Sequence, residues 1–217
     1  MTTALPDRVI YDEGVSDAAF RSFHALRIKG FAKVDAVAEI ADVPVADAEG
    51  HLLDLQQREL AMFRETRALW QLTPAGREAH KQQLAAEISA ADIGTALGAP
   101  YERFLSINEQ FKNLCGEWQL KDGAPNDHTD LVYDAVVVAK LVDLQKQAAP
   151  VVAALGEVLP RLQSYGPRLA QTCRRLLAGE TNMFTGVMCG SYHDVWMELH
   201  EDLILSQGID RAAEGSF

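Results

Sequence analysis

A mainly α fold in two parts, a small helical unit bearing a β-hairpin and then an α-helical bundle, is what this 217-residue sequence predicts. Three observations carry it. Apolar residues recur at helical spacing in three short segments between Ser16 and Glu59. Two strand-like runs follow, "LAMFRE" and "RALWQLT". Beyond Pro100 the spacing is helical as far as Gly208. A hydrophobic share of 48% against 24% charged is that of an ordinary folded domain, so disorder and fibrous repeats do not compete.

Residues 1–15 read as a polar arm. The first helix starts at Ser16, a capping residue, sets Phe20, Phe23 and Leu26 on one face and stops at Gly30. Lys33 to Ala41 repeats the pattern with Val34, Val37 and Ile40. Pro44 biases Val43 away from the helical region, which makes Asp42-Val43-Pro44 a turn. A third helix spans Val45 to Glu59, with Leu52 and Leu55 inward. The two strand-like runs hinge at Glu65-Thr66-Arg67. Thr73 then caps a further helix, and Pro74 stands in its first turn, where a missing N–H costs nothing. Helix, turn and helix followed by a hairpin, over residues 16–93, is the order of a winged helix-turn-helix.

"IGTALGAP" carries Gly and Pro and reads as the boundary, with 94–100 as a linker and 101–217 as the helical domain. There "YERFLSINEQFKNLCGEWQ" stacks Phe104, Asn108, Phe111, Cys115 and Trp118 on one face. Thr129 is expected to cap a helix whose stripe is Leu131, Ala135, Val138 and Val142. Pro150, Pro160 and Pro167 are expected to punctuate two shorter helices. The last helix opens on Ser191 and Asp194, a capping box, and ends at Gly208.

The stretch from the third helix through "LTPAGRE" resembles the winged-helix domain of MarR-type bacterial transcriptional regulators. The matching residues are Leu52, Leu55, Leu60, Leu72, Thr73, Pro74, Gly76 and Arg77, and the likeness covers about a third of the chain. The second half is similar to the helical C-terminal part of uncharacterised actinobacterial regulators carrying "NDHTD" and "SYHxVWMELHEDL". The resemblance implies duplex DNA as partner, a homodimer on two half-sites, the third helix in the major groove and the wing on phosphate or the minor groove. Residues so placed are Lys33, Val45, His51, Gln57, Arg58, Arg64, Thr66 and Arg67.

Charge qualifies this. A net charge of −11 argues against a non-specific polyanion binder. Residues 1–86 hold 10 basic and 13 acidic side chains, residues 87–217 hold 10 and 18, so the acidity belongs mostly to the second half. On the third helix, however, Asp47, Glu49 and Asp54 would each oppose phosphates. The alternative is therefore a winged helix that docks on a protein partner or a metabolic enzyme and touches no DNA.

In the helical domain Asn108 interrupts an apolar stripe and needs a hydrogen-bond partner if buried. Bundles place pockets between facing helices, so Asn108, Trp118, His128, Tyr192 and Trp196 form a candidate site for a small-molecule effector. His193 and His200 lie two turns apart, about 10 Å along a helix, too far for one metal ion. H-E-x-x-H, phosphate-cradling and nucleophile-elbow patterns are missing, so no enzyme activity, metal or cofactor is expected. Three scattered cysteines without a C-x-x-C pair fit a reducing cytoplasm. The N-terminus has no export pattern, and no run approaches the roughly 18 apolar residues of a membrane helix, so no membrane partner is expected.

Overall fold

The structure, a computed structural model, describes residues 16–90 and 93–209. It is mainly α-helical and divides into two compact units, Met1–Ala91 and Asp92–Phe217. The arm expected over 1–15 lies outside the described residues. No helix among them is long and apolar enough to cross a membrane.

The first unit runs α1 (Ala18–Lys29), α2 (Val34–Ala41), α3 (Val45–Gln57), β1 (Ala61–Arg64), a 3-10 turn (Glu65–Arg67), β2 (Leu69–Leu72) and α4 (Pro74–Ala90). Phe20, Phe23, Leu26, Val37, Ile40, Leu52 and Leu55 are buried together, as their helical spacing requires. Asp17 rather than Ser16 caps α1: its carboxylate accepts from the Phe20 N–H at 2.7 Å. Ser16 is buried instead, its hydroxyl donating to Glu87 of α4. The strands pair antiparallel, Ala61 with Leu72 through Arg64 with Leu69. Ala32 adds one further rung on the outer side of β2, exchanging backbone hydrogen bonds with Trp70 at 2.8 and 3.0 Å.

The second unit comprises α5 (Ile93–Gln119), a two-residue hairpin of β3 (Leu120–Lys121) and β4 (Ala124–Pro125), α6 (Leu131–Val158), a 3-10 turn (Pro160–Ser164), α7 (Tyr165–Leu177), a second 3-10 turn (Thr181–Met183) and α8 (Tyr192–Gln207). The expected linker over 94–100 is helix: α5 passes through Pro100. A proline inside a helix costs about 3 kcal/mol. Ile93, Leu97, Tyr101 and Phe104 continue one buried stripe across it, and burying such side chains returns roughly 1.5–3 kcal/mol each. For the same reason α6 does not stop at Pro150, because Ala148, Val152 and Leu155 keep its buried face intact.

Two further expectations about α6 are corrected. Its cap is Asp130, which accepts from the N–H groups of Val132 and Tyr133, while Thr129 donates to Asp127. Its buried face is Asp134, Val137, Leu141 and Leu144, not the stripe of Leu131, Ala135, Val138 and Val142. Leu131 is 75% exposed. At α8, Ser191 caps as expected, accepting from the Asp194 N–H at 3.1 Å. The Asp194 carboxylate returns to the N–H groups of Cys189 and Gly190.

The thiols differ in environment. Burial pushes Cys115 up to about 12 and Cys173 up to about 11, whereas Cys189 is exposed. Iodoacetamide at pH 8 is therefore expected to modify Cys189 alone in the folded chain, with Cys115 and Cys173 following only after unfolding. Peptide mapping of the alkylated protein checks this, and early labelling of Cys173 would contradict the packing described.

Candidate functional site

The first candidate surface is built from α3 and the hairpin. Three bonds hold the hairpin to its neighbours. Thr73 N–H donates to the Leu60 carbonyl at 3.0 Å, and its hydroxyl donates to the Glu59 carbonyl at 2.8 Å. The same oxygen accepts from the Gly76 N–H at 2.9 Å, which makes Thr73 the cap of α4. Gly76 is obligatory here, since a Cβ at that position would lie 1.9 Å from the Leu60 carbonyl oxygen. So "LTPAG" is the latch between hairpin and helix: Thr73 ties, Pro74 starts the helix and Gly76 lets the two backbones touch.

Held this way, the hairpin tip puts Arg64, Thr66 and Arg67 in solvent, with Glu65 between them. Lys33, at the start of α2, and Val45, at the start of α3, are exposed too. Gln57 and Arg58 are exposed at the end of α3, but Arg58 is engaged by Asp54 at 3.2 Å. His51 is turned inward: its Nδ1 is 2.9 Å from the Ser22 hydroxyl of α1. The eight residues expected on DNA thus include one that packs α3 on α1 and one already paired.

The outward face of α3 is acidic and partly apolar. Asp47, Glu49 and Asp54 are exposed on it, and so are Val45, Leu53 and Gln56. Phe31 and Phe63 are exposed elsewhere on the same unit. Positive charge therefore resides at the hairpin tip and Lys33 rather than along α3.

In the second unit the five candidate ligand residues fall into two groups. Asn108, Tyr192 and Trp196 are buried in an aromatic core with Phe104 and Phe111, at ring distances of 4.8 to 5.9 Å. Their polar atoms are used within the unit. Trp196 Nε1–H donates to Asn108 Oδ1 at 2.9 Å, and the Tyr192 hydroxyl donates to Gln145 at 2.8 Å. The partner that a buried Asn108 demands is thus an indole.

Trp118 and His128 make a separate corner at the end of α5. The His128 ring lies 4.4 Å from that of Trp118, and its Nδ1 is 3.0 Å from Asp134 Oδ2. A carboxylate only accepts, so the Nδ1–H donates to Asp134. Nε2 has no hydrogen-bond partner among the described residues. Asn126 steadies the other side of the carboxylate, donating to Asp134 Oδ1 at 2.9 Å and to the Trp118 carbonyl at 3.1 Å. His128 sits in the left-handed backbone region at φ 58°, a conformation that costs a non-glycine residue free energy. Lys121 bridges to the cap residue Asp130 at 2.7 Å, and that hydrogen bond is the main reason Asp130 ionises below the usual carboxylate range.

Sequence reasoning did not find a third set of polar residues. Arg161 pairs with Asp202 and, at 2.5 Å, with the Ser206 hydroxyl; Arg168 pairs with Glu198 at 2.5 Å. All five are buried between the α7 region and α8. Tyr165 donates to Asp202 at 3.1 Å, and burial first, then the carboxylates of Asp202 and Glu198, pushes its phenol well up. No group of three His, Cys, Asp or Glu among the described residues is arranged to hold a metal ion. No family model, no curated protein and no solved structure matches the chain.

Proposed function

We propose that the first unit is a winged helix and that the chain is a cytoplasmic bacterial transcriptional regulator of duplex DNA, acting as a homodimer through its helical unit. The observation that carries the reading is the exposed basic hairpin tip, Arg64 and Arg67, on a hairpin fixed at its base by the Thr73–Gly76 latch. The element order from α1 to α4 supports it, because helix-turn-helix followed by a hairpin is a DNA-docking arrangement. The carboxylates of α3 oppose phosphates, so phosphate contact falls to the tip and to Lys33, while α3 meets base edges with Gln56 and Gln57. His128, whose Nε2 is unengaged and whose ring is oriented by Asp134, is the residue of the candidate effector set best placed to meet a small polar ligand.

A second reading rests on the α3 face itself. Exposed Val45 and Leu53 among Asp47, Glu49 and Asp54 suit a protein surface better than a phosphate lattice. The two separate in one experiment. Duplex binding of the wild type is measured across a salt series beside Arg64→Ala/Arg67→Ala. Loss of two phosphate contacts is expected to reduce the slope of log K against log salt by about 2 and to weaken binding on every sequence alike. An unchanged slope, or no salt-dependent binding by the wild type, overturns the DNA reading and leaves protein docking.

A further inference from the structure

The register of the first unit's hairpin separates its two faces. Ala61 opposite Leu72 and Phe63 opposite Trp70 share the inner face, where Trp70 is buried with its ring 5.2 Å from that of Phe63. Met62 opposite Gln71 and Arg64 opposite Leu69 therefore share the outer face. Gln71 and Arg64 are diagonal neighbours there, a separation that long side chains span. They do meet. The Gln71 amide oxygen accepts from the Arg64 Nε–H at 3.0 Å and from an Nη2–H at 2.9 Å, the amide orientation that its neighbours dictate. Gln71 is half-buried and Arg64 exposed, so the better-packed side chain fixes the freer one.

Two properties of this contact matter to an anion. It is neutral. Arg58 is held by the Asp54 carboxylate at 3.2 Å, which offsets its charge, whereas an amide oxygen leaves the full charge on Arg64. Glu65, next in the chain, lies in the 3-10 turn and forms no ion pair with Arg64 among the described residues. The contact is also one-sided. A guanidinium carries five N–H donors in a rigid fork, and Gln71 occupies only the edge formed by Nε and Nη2. The other edge, an Nη1–H beside the second Nη2–H, is left to grip two phosphate oxygens in parallel.

We propose that Gln71 is a positioning residue for Arg64, holding the guanidinium as a preformed clamp for a DNA phosphodiester. This rests on the DNA reading of the first unit and deepens it, because it names the neutral partner that orders one of the two tip arginines. An arginine already held loses less rotamer freedom on binding, a difference of about three- to tenfold in affinity.

A double-mutant cycle on the full-length chain tests it, read by anisotropy of a labelled duplex pool of random sequence. Gln71→Leu is expected to weaken binding by about three- to tenfold, and to add nothing in the Arg64→Ala background. A second readout needs no DNA. In nitrogen-labelled protein the Arg64 Nε–H signal is expected to exchange with solvent more slowly than that of Arg67, and Gln71→Leu should remove the difference. Gln71→Glu keeps the grip but offsets the charge, so the slow signal should persist while the slope of log K against log salt falls by about 1. Being nearly isosteric, it also keeps the test open if Gln71→Leu fails to fold. Three results overturn the proposal while duplex binding, and the DNA reading with it, stands: equal losses from Gln71→Leu with and without Arg64, an Arg64 Nε–H indifferent to residue 71, or a Gln71→Glu slope equal to the wild type's. No salt-dependent duplex binding by the wild type overturns both.

Discussion

Asp202→Ala is expected to destabilise the second unit by about 3–5 kcal/mol, the cost of taking the carboxylate away from a buried guanidinium. Arg161 and Asp202 are each 3% exposed in their side chains, so neither recovers hydration while the fold persists. The aspartate also receives the Tyr165 hydroxyl, and its loss removes an acceptor from a second buried group. What makes the expectation sharp is its companion. Arg161→Met/Asp202→Leu removes both charges together and replaces them with apolar volume, a change that in comparable buried pairs is neutral or stabilising. The double variant should therefore recover most of what the single variant loses. Asp143→Ala, which breaks the exposed pair with Lys146, should cost less than 1 kcal/mol. Urea unfolding followed by the fluorescence of Trp118 and Trp196, both in this unit, measures all three. Equal losses in the single and double variants would sink the claim that the cost lies in a buried guanidinium deprived of the Asp202 carboxylate.

That pair also shows which parts of this chain are legible without coordinates. Where one face of a helix is apolar and the other polar, spacing alone identified the buried side, as for Phe20, Phe23 and Leu26 of α1 and Leu52 and Leu55 of α3. In α6 both faces are apolar, so periodicity had nothing to choose between. The choice is made by Asp134, which is buried because Asn126 and His128 satisfy its two oxygens. Capping residues next to one another caused the same ambiguity: Asp17 beside Ser16, and Asp130 beside Thr129, took the role because an ionised oxygen is the stronger acceptor. Prolines 100 and 150 were read as breaks on local cost, and tertiary burial along α5 and α6 outweighs that cost. Ala32 is a single rung and leaves no alternation to detect.

The candidate site divides in the same way. Arg64, Thr66 and Arg67 were legible because a charged turn between two strands has nowhere to go but outward. His51 and Arg58 have partners that the sequence did not announce, Ser22 on another helix and Asp54 one turn back. Asn108 announced that it needs a partner but not which, and Trp196 is 88 residues away. Arg161 and Asp202 carry no local pattern either, since ion pairs across a bundle depend on how the helices meet.

The last expectation joins the latch to the hairpin. Gly76→Ala should lower the stability of the first unit by about 3 kcal/mol, because the added methyl would sit 1.9 Å from a backbone oxygen and no side chain can rotate away to relieve it. Relief requires α4 to part from Leu60, and the bonds of Thr73 to Glu59, Leu60 and Gly76 part with it. The hairpin tip then loses its fixed position although Arg64 and Arg67 are untouched, so on the function proposed above duplex affinity should fall even at temperatures where the unit remains folded. Gly50→Ala supplies the opposite sign. It lies inside α3 with nothing within 4 Å of the added Cβ, so the substitution should stabilise the helix by about 0.8–1 kcal/mol. Thermal unfolding read at Trp70, which lies in β2, follows both variants in the unit they alter. If Gly76→Ala melts with the wild type, the Leu60 carbonyl does not bear on α4, and the latch cannot be what fixes the hairpin.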